Sequence, residues 1–221
     1  MKSFFLAALF LLLLSPLGCT SLKHPPPDIR YYTFEYASPD LTGTPLPCIL
    51  EVSPFTIARS FDSTQIVYEN GTYTSQMYFY HRWRANPGLL VSDFLLRDLQ
   101  AVGLFKSIVD GRSGINASHV LEGRINRIME KDTKEGWFGI LDLTITLVRS
   151  NDNGESSRVV WQKTYSGKQI LERKNPRGLA EALSRILSNI SRELILDVHQ
   201  SLKDEHCAMT AEADSTIKAW P

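Results

Sequence analysis

The chain of 221 residues carries 24 basic and 24 acidic side chains, so its formal net charge is zero. That balance excludes the basic surplus a nucleic-acid binder or a polybasic membrane-surface protein needs to meet phosphates. With 43% hydrophobic and 22% charged residues the composition is that of an ordinary globular domain with a sizeable core, and three cysteines are too few for a disulfide-built scaffold.

The N-terminus opens with Lys2 and an unbroken apolar run, Phe4 to Leu14. A bilayer span takes roughly 20 residues, so the run is too short to cross a membrane and fits the apolar region of a signal peptide. Ser15-Pro16-Leu17-Gly18-Cys19 follows. A small residue directly before a cysteine at this place resembles the lipobox of bacterial lipoproteins, in which the thiol is diacylated, the leader is cleaved and the new N-terminus is acylated with a chain such as palmitate. Pro16 departs from that pattern, which usually has leucine three positions before the cysteine. The plainer alternative is a secretory peptide cleaved nearby, with Cys19 incidental. Thr20, rather than aspartate, follows Cys19, and in lipoproteins of this kind that favours the outer membrane. Pro25-Pro26-Pro27 reads as a stiff extended spacer.

Tyr31 to Tyr36 is aromatic-rich and predicts a first strand. Cys48 to Val52 alternates, with Cys48, Leu50 and Val52 on one face. Gln65 to Glu69 and Thr74 to Phe79 flank Asn70-Gly71, a hairpin signal. Asn86 as cap, Pro87 at the first helical position and Gly103 past the end delimit a helix. Its stripe is Val91, Leu95, Leu99 and Val102, widened by Phe94, with Asp93, Arg97, Asp98 and Gln100 off it. Phe105 to Val109 predicts a strand, and His119 to Met129 another, with Leu121, Ile125 and Met129 on one face. Leu141, Leu143, Ile145 and Leu147 keep a strict period of two. Asn151 to Gly154 turns the chain into Arg158 to Tyr165, completing an antiparallel meander. Asn175-Pro176 starts a long helix whose apolar face runs from Leu179 to Leu202. These elements predict an α+β fold in a single domain: a mostly antiparallel sheet with two helices packed on one face. The expected divisions are a signal peptide over 1–18, a lipidated Cys19 with a Pro-rich spacer over 19–30, the domain over 31–202 and a frayed tail over 203–221.

Signatures of chemistry are missing. There is no GxxxxGK[ST], no GxGxxG between a strand and a helix, no GxSxG and no HExxH. His24, His81, His119, His199 and His206 stand far apart, and without CxxC or HxxxH spacing they read as surface or partly buried residues rather than metal ligands. Asp62 with Glu69, or Asp142 with Glu172, have no spacing that would bring them together. Cys48 and Cys207 could form a disulfide in the envelope, but the apolar company of Cys48 favours a buried free thiol. The expectation is therefore a protein with no catalytic residues, no metal and no cofactor.

One stretch stands out, Tyr78-Phe79-Tyr80-His81-Arg82-Trp83. Alternation places Tyr78, Tyr80 and Arg82 on one side and Phe79, His81 and Trp83 on the other. A strand whose rings cover the core accounts for the pattern; the sharper reading makes Tyr80, Arg82 and Trp83 partner-binding candidates, since aromatics and arginine dominate contact surfaces. Trp137-Phe138, between Gly136 and Gly139, is a second candidate apolar patch.

The order of these features resembles the ABC-type transport auxiliary lipoprotein family, which includes the paraquat-inducible protein C lipoproteins. The likeness runs over roughly residues 17–202. It is carried by Gly18-Cys19, Tyr31-Tyr32-Thr33-Phe34, Ile49 to Pro54, Ile66-Val67-Tyr68, Tyr80-His81-Arg82-Trp83 and Gly103-Leu104-Phe105. The resemblance implies a non-enzymatic component acylated at Cys19 and held on the periplasmic face of the outer membrane. It also implies, as partners, a mammalian-cell-entry (MCE) domain protein and an ABC permease that move lipids or other apolar molecules. It leaves homo-oligomerisation open. Two other readings compete: a carrier with an apolar cavity lined by residues such as Leu95, Leu143 and Ile190, and, less favoured, an envelope hydrolase.

Overall fold

Alternating Leu141, Leu143, Ile145 and Leu147 commit one strand face to the interior, and the domain is built around that face. The structure, a computed structural model, describes residues 27–150 and 157–205. The leader with Cys19, the predicted turn over 151–154, and His206 and Cys207 in the predicted tail lie outside the described residues.

In chain order the elements are β1 (Arg30–Tyr32), β2 (Leu46–Val52), β3 (Thr56–Ile57), β4 (Gln65–Asn70), β5 (Ser75–Trp83), α1 (Pro87–Ala101), β6 (Phe105–Asp110), β7 (His119–Thr133), β8 (Gly136–Arg149), β9 (Arg158–Ile170) and α2 (Pro176–Asp204). A single 3-10 turn, Arg59–Phe61, lies between β3 and β4. The strands form one sheet in the order β1-β5-β4-β7-β2-β6, with β8 pairing along the whole of β7, from His119 to Thr133, and β9 beyond it.

The predicted antiparallel meander is present as β7-β8-β9, paired from His119 opposite Arg149 to Phe138 opposite Ile170 with one register shift in each ladder. The sheet as a whole is mixed rather than mostly antiparallel. β1 pairs parallel with β5, β2 with both β6 and β7, and β3 and β4 with β7. Alternation along a strand fixes which face is buried, not which strand lies alongside. Here α1 acts as a crossover that returns the chain so that β6 runs beside β2 in the same direction.

Two irregularities move side chains from their predicted faces. Between Ile125 and Arg127 the β7–β8 register shifts, so Ile128 stands opposite Leu141 and joins Leu121 and Ile125 on the inner face. Met129, expected there, stands opposite Ile140 instead. The predicted strand over Tyr31 to Tyr36 stops at Tyr32. Beyond it the chain leaves the sheet: Phe34 packs on Trp83 and edge-on against Phe94 of α1, and the Glu35 backbone N–H donates to Ser184 Oγ of α2 at 3.0 Å.

Both helices are capped as their sequences predict. Asn86 Oδ1 accepts the Gly88 N–H and Asn175 Oδ1 accepts the Gly178 N–H, each at 2.9 Å, with Pro87 and Pro176 opening the helices. Gly103, past the end of α1, has φ +64°, a left-handed conformation that suits glycine. The α2 face Leu179, Leu183, Ile186, Leu187, Ile190, Leu194, Val198 and Leu202 is fully buried. It sits close on β8 and β9, because a Cβ on Gly167 would stand 2.1 Å from Ile186 Cγ2.

At the crossing of the helices lies Asp98, which stands off the apolar stripe of α1 in sequence and is completely buried. Its carboxylate accepts from Tyr36 Oη at 2.8 Å, Ser38 Oγ at 2.7 Å and Ser191 Oγ of α2 at 2.6 Å, and it meets the Arg97 guanidinium at 2.7 Å. Arg97 in turn lies over the rings of Tyr36 and Phe94. Burial, with the neighbouring Asp98 charge, pushes the Tyr36 hydroxyl pKa far up.

Cys48 is buried on β2 as expected, but it is disulfide-bonded rather than a free thiol. Its apolar surroundings do not distinguish the two states, since a cystine sulfur is as apolar as a thiol.

Replacing Asp98 by alanine should destabilise the domain by about 3–5 kcal/mol, because three hydroxyls and a guanidinium lose their shared acceptor. Thermal denaturation should show Tm lower by roughly 10 °C; a shift of a degree or two would mean the cluster is incidental. Reducing agent should also lower Tm, by an amount matching about 2–5 kcal/mol for loss of a native disulfide, and Cys48→Ala should abolish that sensitivity.

Candidate partner-docking site

β4 and β5 form the hairpin announced by Asn70-Gly71, with Val67 opposite Met77, Tyr68 opposite Gln76 and Glu69 opposite Ser75. Gly71 has φ +112°, as such a turn requires. Tyr73, also in the turn, has φ +69° and a fully solvent-exposed ring. A left-handed backbone is costly for an aromatic residue.

Beyond Met77 the register breaks, and the next pair is Gln65 with Arg82. Residues 78–81 therefore bulge out of the ladder, which ends the predicted alternation. Phe79, expected to share a face with Trp83, is 65% exposed, and Tyr80 is 49% exposed; their rings meet edge-to-face with centroids 4.8 Å apart. Trp83 is only 2% exposed and packs against Phe34. It is a core residue, as the covering-strand reading expected, and offers no side chain to a partner. Arg82 is half-buried, and its Nε is buried without a hydrogen-bond partner among the described residues.

Of the three candidates, the structure places Tyr80 on the surface, Arg82 at its margin and Trp83 inside. Sequence reasoning missed Phe79, Met77, Tyr73 and Tyr31, all exposed around the same hairpin and its neighbouring strand. A bulge inside an aromatic run leaves no periodic trace, so no sequence signal separated Phe79 from Trp83. Cys19 lies outside the described residues.

The inner side of the hairpin is polar and closed. Tyr78 Oη donates to Glu130 Oε1 at 2.9 Å, Tyr68 and Tyr78 rings pack at 4.7 Å, and Tyr32 Oη and His81 Nδ1 share a hydrogen bond at 2.8 Å. Glu130 is buried, with Oε2 unpartnered; burial raises its carboxyl pKa, while the Tyr78 hydrogen bond opposes the rise. The same burial, next to Glu130, raises the Tyr78 hydroxyl pKa.

Trp137 and Phe138 do not make an open apolar patch. Both are half-buried, with Lys168 Nζ 3.9 Å from the Phe138 ring centroid and Lys174 Nζ 5.8 Å from that of Trp137. Among the described residues no group of His, Cys, Asp or Glu could hold a metal ion. His119 is buried against Glu205 and Ser118, and His199 meets the Thr44 carbonyl. Asp142 pairs with Arg127 rather than with Glu172, which pairs with Arg185.

The carrier reading required a cavity lined by Leu95, Leu143 and Ile190. All three are buried in one continuous core with both helices and the sheet. Among the described residues, the depressions include two at the surface. One lies between Pro54, Leu89, Asp93 and Arg112; another, over Glu122, Arg124, Thr144 and Gln162, is lined mainly by polar side chains on the outer sheet face. Among the described residues no helix is long and apolar enough to cross a membrane.

A mixed sheet carrying two helices, a hairpin with exposed aromatics and, among the described residues, a filled interior make up the domain. The chain belongs to the family of ABC-type transport auxiliary lipoprotein components, whose model matches residues 32–195. The fold is similar to that of XCC0632 from Xanthomonas campestris, a protein of the DUF330 family, with TM-score 0.71 and 17% identity over 80% of this chain and 98% of that one. An uncharacterized protein of solved structure matches with TM-score 0.60 and 9% identity over 76% of this chain and 97% of its own. At these identities the likeness concerns the fold. Among curated proteins no relative of similar sequence is found.

The Glu130 environment yields a pH-dependent prediction. A carboxyl whose pKa is raised on folding is held more readily in its neutral form, so its charge opposes folding above that pKa. The penalty fades as pH falls through the raised pKa toward the ordinary glutamate range. Glu130→Gln should therefore raise Tm over wild type at pH 8, with the gain shrinking as pH falls to 4. An equal Tm difference at both pH values would show that Glu130 is already neutral or solvated in the fold.

Proposed function

We propose that the protein is a membrane-anchored, non-catalytic auxiliary lipoprotein of an MCE-type ABC transport system that moves lipids or other apolar molecules across the bacterial envelope. Cys19 carries the acyl chains, the Pro25-Pro26-Pro27 segment spaces the domain from the periplasmic face of the outer membrane, and the domain docks onto an MCE-domain protein and its permease through the aromatic hairpin. The observation that carries this reading is the family match over the folded core, from the end of β1 well into α2. Three further observations support it. The interior is filled by Leu95, Leu143, Ile190 and their neighbours, which favours a scaffold over a hydrophobe carrier. Exposed Phe79 and Tyr80 provide the kind of aromatic anchor that contact surfaces use. The disulfide at Cys48 suits an oxidising compartment such as the periplasm.

Two experiments test this. Cys19→Ser should move the protein from the detergent-requiring membrane fraction to the soluble fraction; unchanged fractionation would refute acylation at Cys19. Purified from native membranes in mild detergent, the wild-type protein should bring an MCE-domain protein or an ABC permease with it. Tyr80→Ala and Arg82→Ala should each reduce that recovery severalfold with Tm within about 2 °C of wild type. Absence of any transporter component from the wild-type preparation would overturn the assignment.

A further inference from the structure

The outer edge of β5 has properties that a folded chain normally suppresses. β5 bonds β4 on one side, while on the other β1 covers only His81–Trp83. Among the described residues Ser75–Tyr80 thus present an uncovered strand edge. Such edges template further pairing, and natural sequences usually protect them with charges, prolines, bulges or a covering element. Here the bulge at 78–81 interrupts the edge beyond Ser75–Met77, which stay in the regular β4 ladder, but leaves the strand without the other three. No residue from Ser75 to Tyr80 is charged or proline, and Met77, Phe79 and Tyr80 are exposed.

In the register of β1, the sequence of the N-terminal segment does not suit this edge. β1 runs parallel to β5 with Arg30 opposite His81. Continued backwards in that register, the positions opposite Tyr78, Met77 and Gln76 are Pro27, Pro26 and Pro25. Proline has no N–H to donate, so a ladder stops where the proline run begins. The edge needs an occupant with its own backbone donors and acceptors at strand spacing, which a lipid surface does not supply. Beside it, half-buried Arg82 supplies a positive charge that suits a carboxylate, while its Nε is buried and without a hydrogen-bond partner among the described residues.

We propose that the Ser75–Tyr80 edge of β5 takes up an extended segment of a partner protein by strand addition, the segment presenting apolar side chains at alternate positions and a carboxylate to Arg82. This rests on the auxiliary-component reading for the existence of a protein partner, while the site itself is defined by the edge. Main-chain hydrogen bonds hold the segment, and Met77, Phe79 and Tyr80 select its side chains.

The test uses the full-length protein in mild detergent and a displayed library of random peptides of roughly 12 residues, long enough to lie along the edge. Enriched peptides should share alternating apolar residues and an acid and bind with roughly micromolar Kd. They should also slow hydrogen exchange of the amides in 75–80. N-methylation of alternate peptide nitrogens should weaken binding about tenfold or more, as should Phe79→Ser and Arg82→Gln. The proposal is overturned if no peptide is enriched, if bound peptides protect another segment, or if they tolerate N-methylation. It is equally overturned if the 75–80 amides are instead protected by phospholipid vesicles or by a second copy of the chain. Peptide binding at the edge without recovery of a transporter component would sink the transporter reading and leave the site standing. Recovery of the transporter by Phe79→Ser as well as by wild type would do the reverse.

Discussion

The buried carboxylate of Asp98 is the point on which the arrangement of the domain depends. It belongs to α1, yet its acceptor capacity is spent on Ser191 of α2 and on Tyr36 and Ser38 of the segment after β1. A charge removed from water is tolerable only when it is fully hydrogen-bonded and paired, and here three hydroxyls and Arg97 meet that condition together. Hydrophobic faces alone would let α1, α2 and the N-terminal segment slide over one another at little cost. Directional bonds to one small group fix their relative positions.

That fixed frame orients the hairpin. Phe34, in the segment tied to Asp98 through Tyr36, packs on Trp83 at the end of β5. Glu130 of β7 holds Tyr78 from below. The rings that hold the strand and the rings that face solvent therefore alternate irregularly along one short stretch: Tyr78 and Trp83 grip the body, and Phe79 and Tyr80 stand free. A bulge achieves this, because it reverses side-chain direction without ending the strand. The outcome is an exposed aromatic pair on a well-anchored base, which limits the ordering a partner must impose on binding.

Much of the fold was legible in the sequence where the signal is local. Both helix starts followed from Asn-Pro pairs, the end of α1 from Gly103, and the inner face of β8 from strict alternation. The pairing of strands was not legible, since β2 finds its neighbours β6 and β7 more than fifty residues further along and nothing in Leu46–Val52 records their direction. The burial of Asp98 was not legible because helical periodicity separates apolar from polar positions and has no sign for a buried polar hub. For the candidate docking site, the aromatic stretch drew attention to the hairpin, but the bulge decided which of its residues reach solvent. Trp83 and Phe79 share a parity in sequence and have opposite fates in the fold.

The parallel pairing of β1 with β5 also has a mechanical meaning. The chain enters the domain through β1, so tension transmitted along the N-terminal segment pulls on three residues bonded side by side to β5, loading their hydrogen bonds together in shear. Behind β1 the same chain is wedged by Phe34 and fastened through Tyr36 and Ser38 to Asp98. A tug on the N-terminal segment is therefore borne by the region where the two helices meet, rather than by peeling open the sheet. The place where the chain enters the domain doubles as a strain relief, much as a cable is clamped before it reaches its contacts.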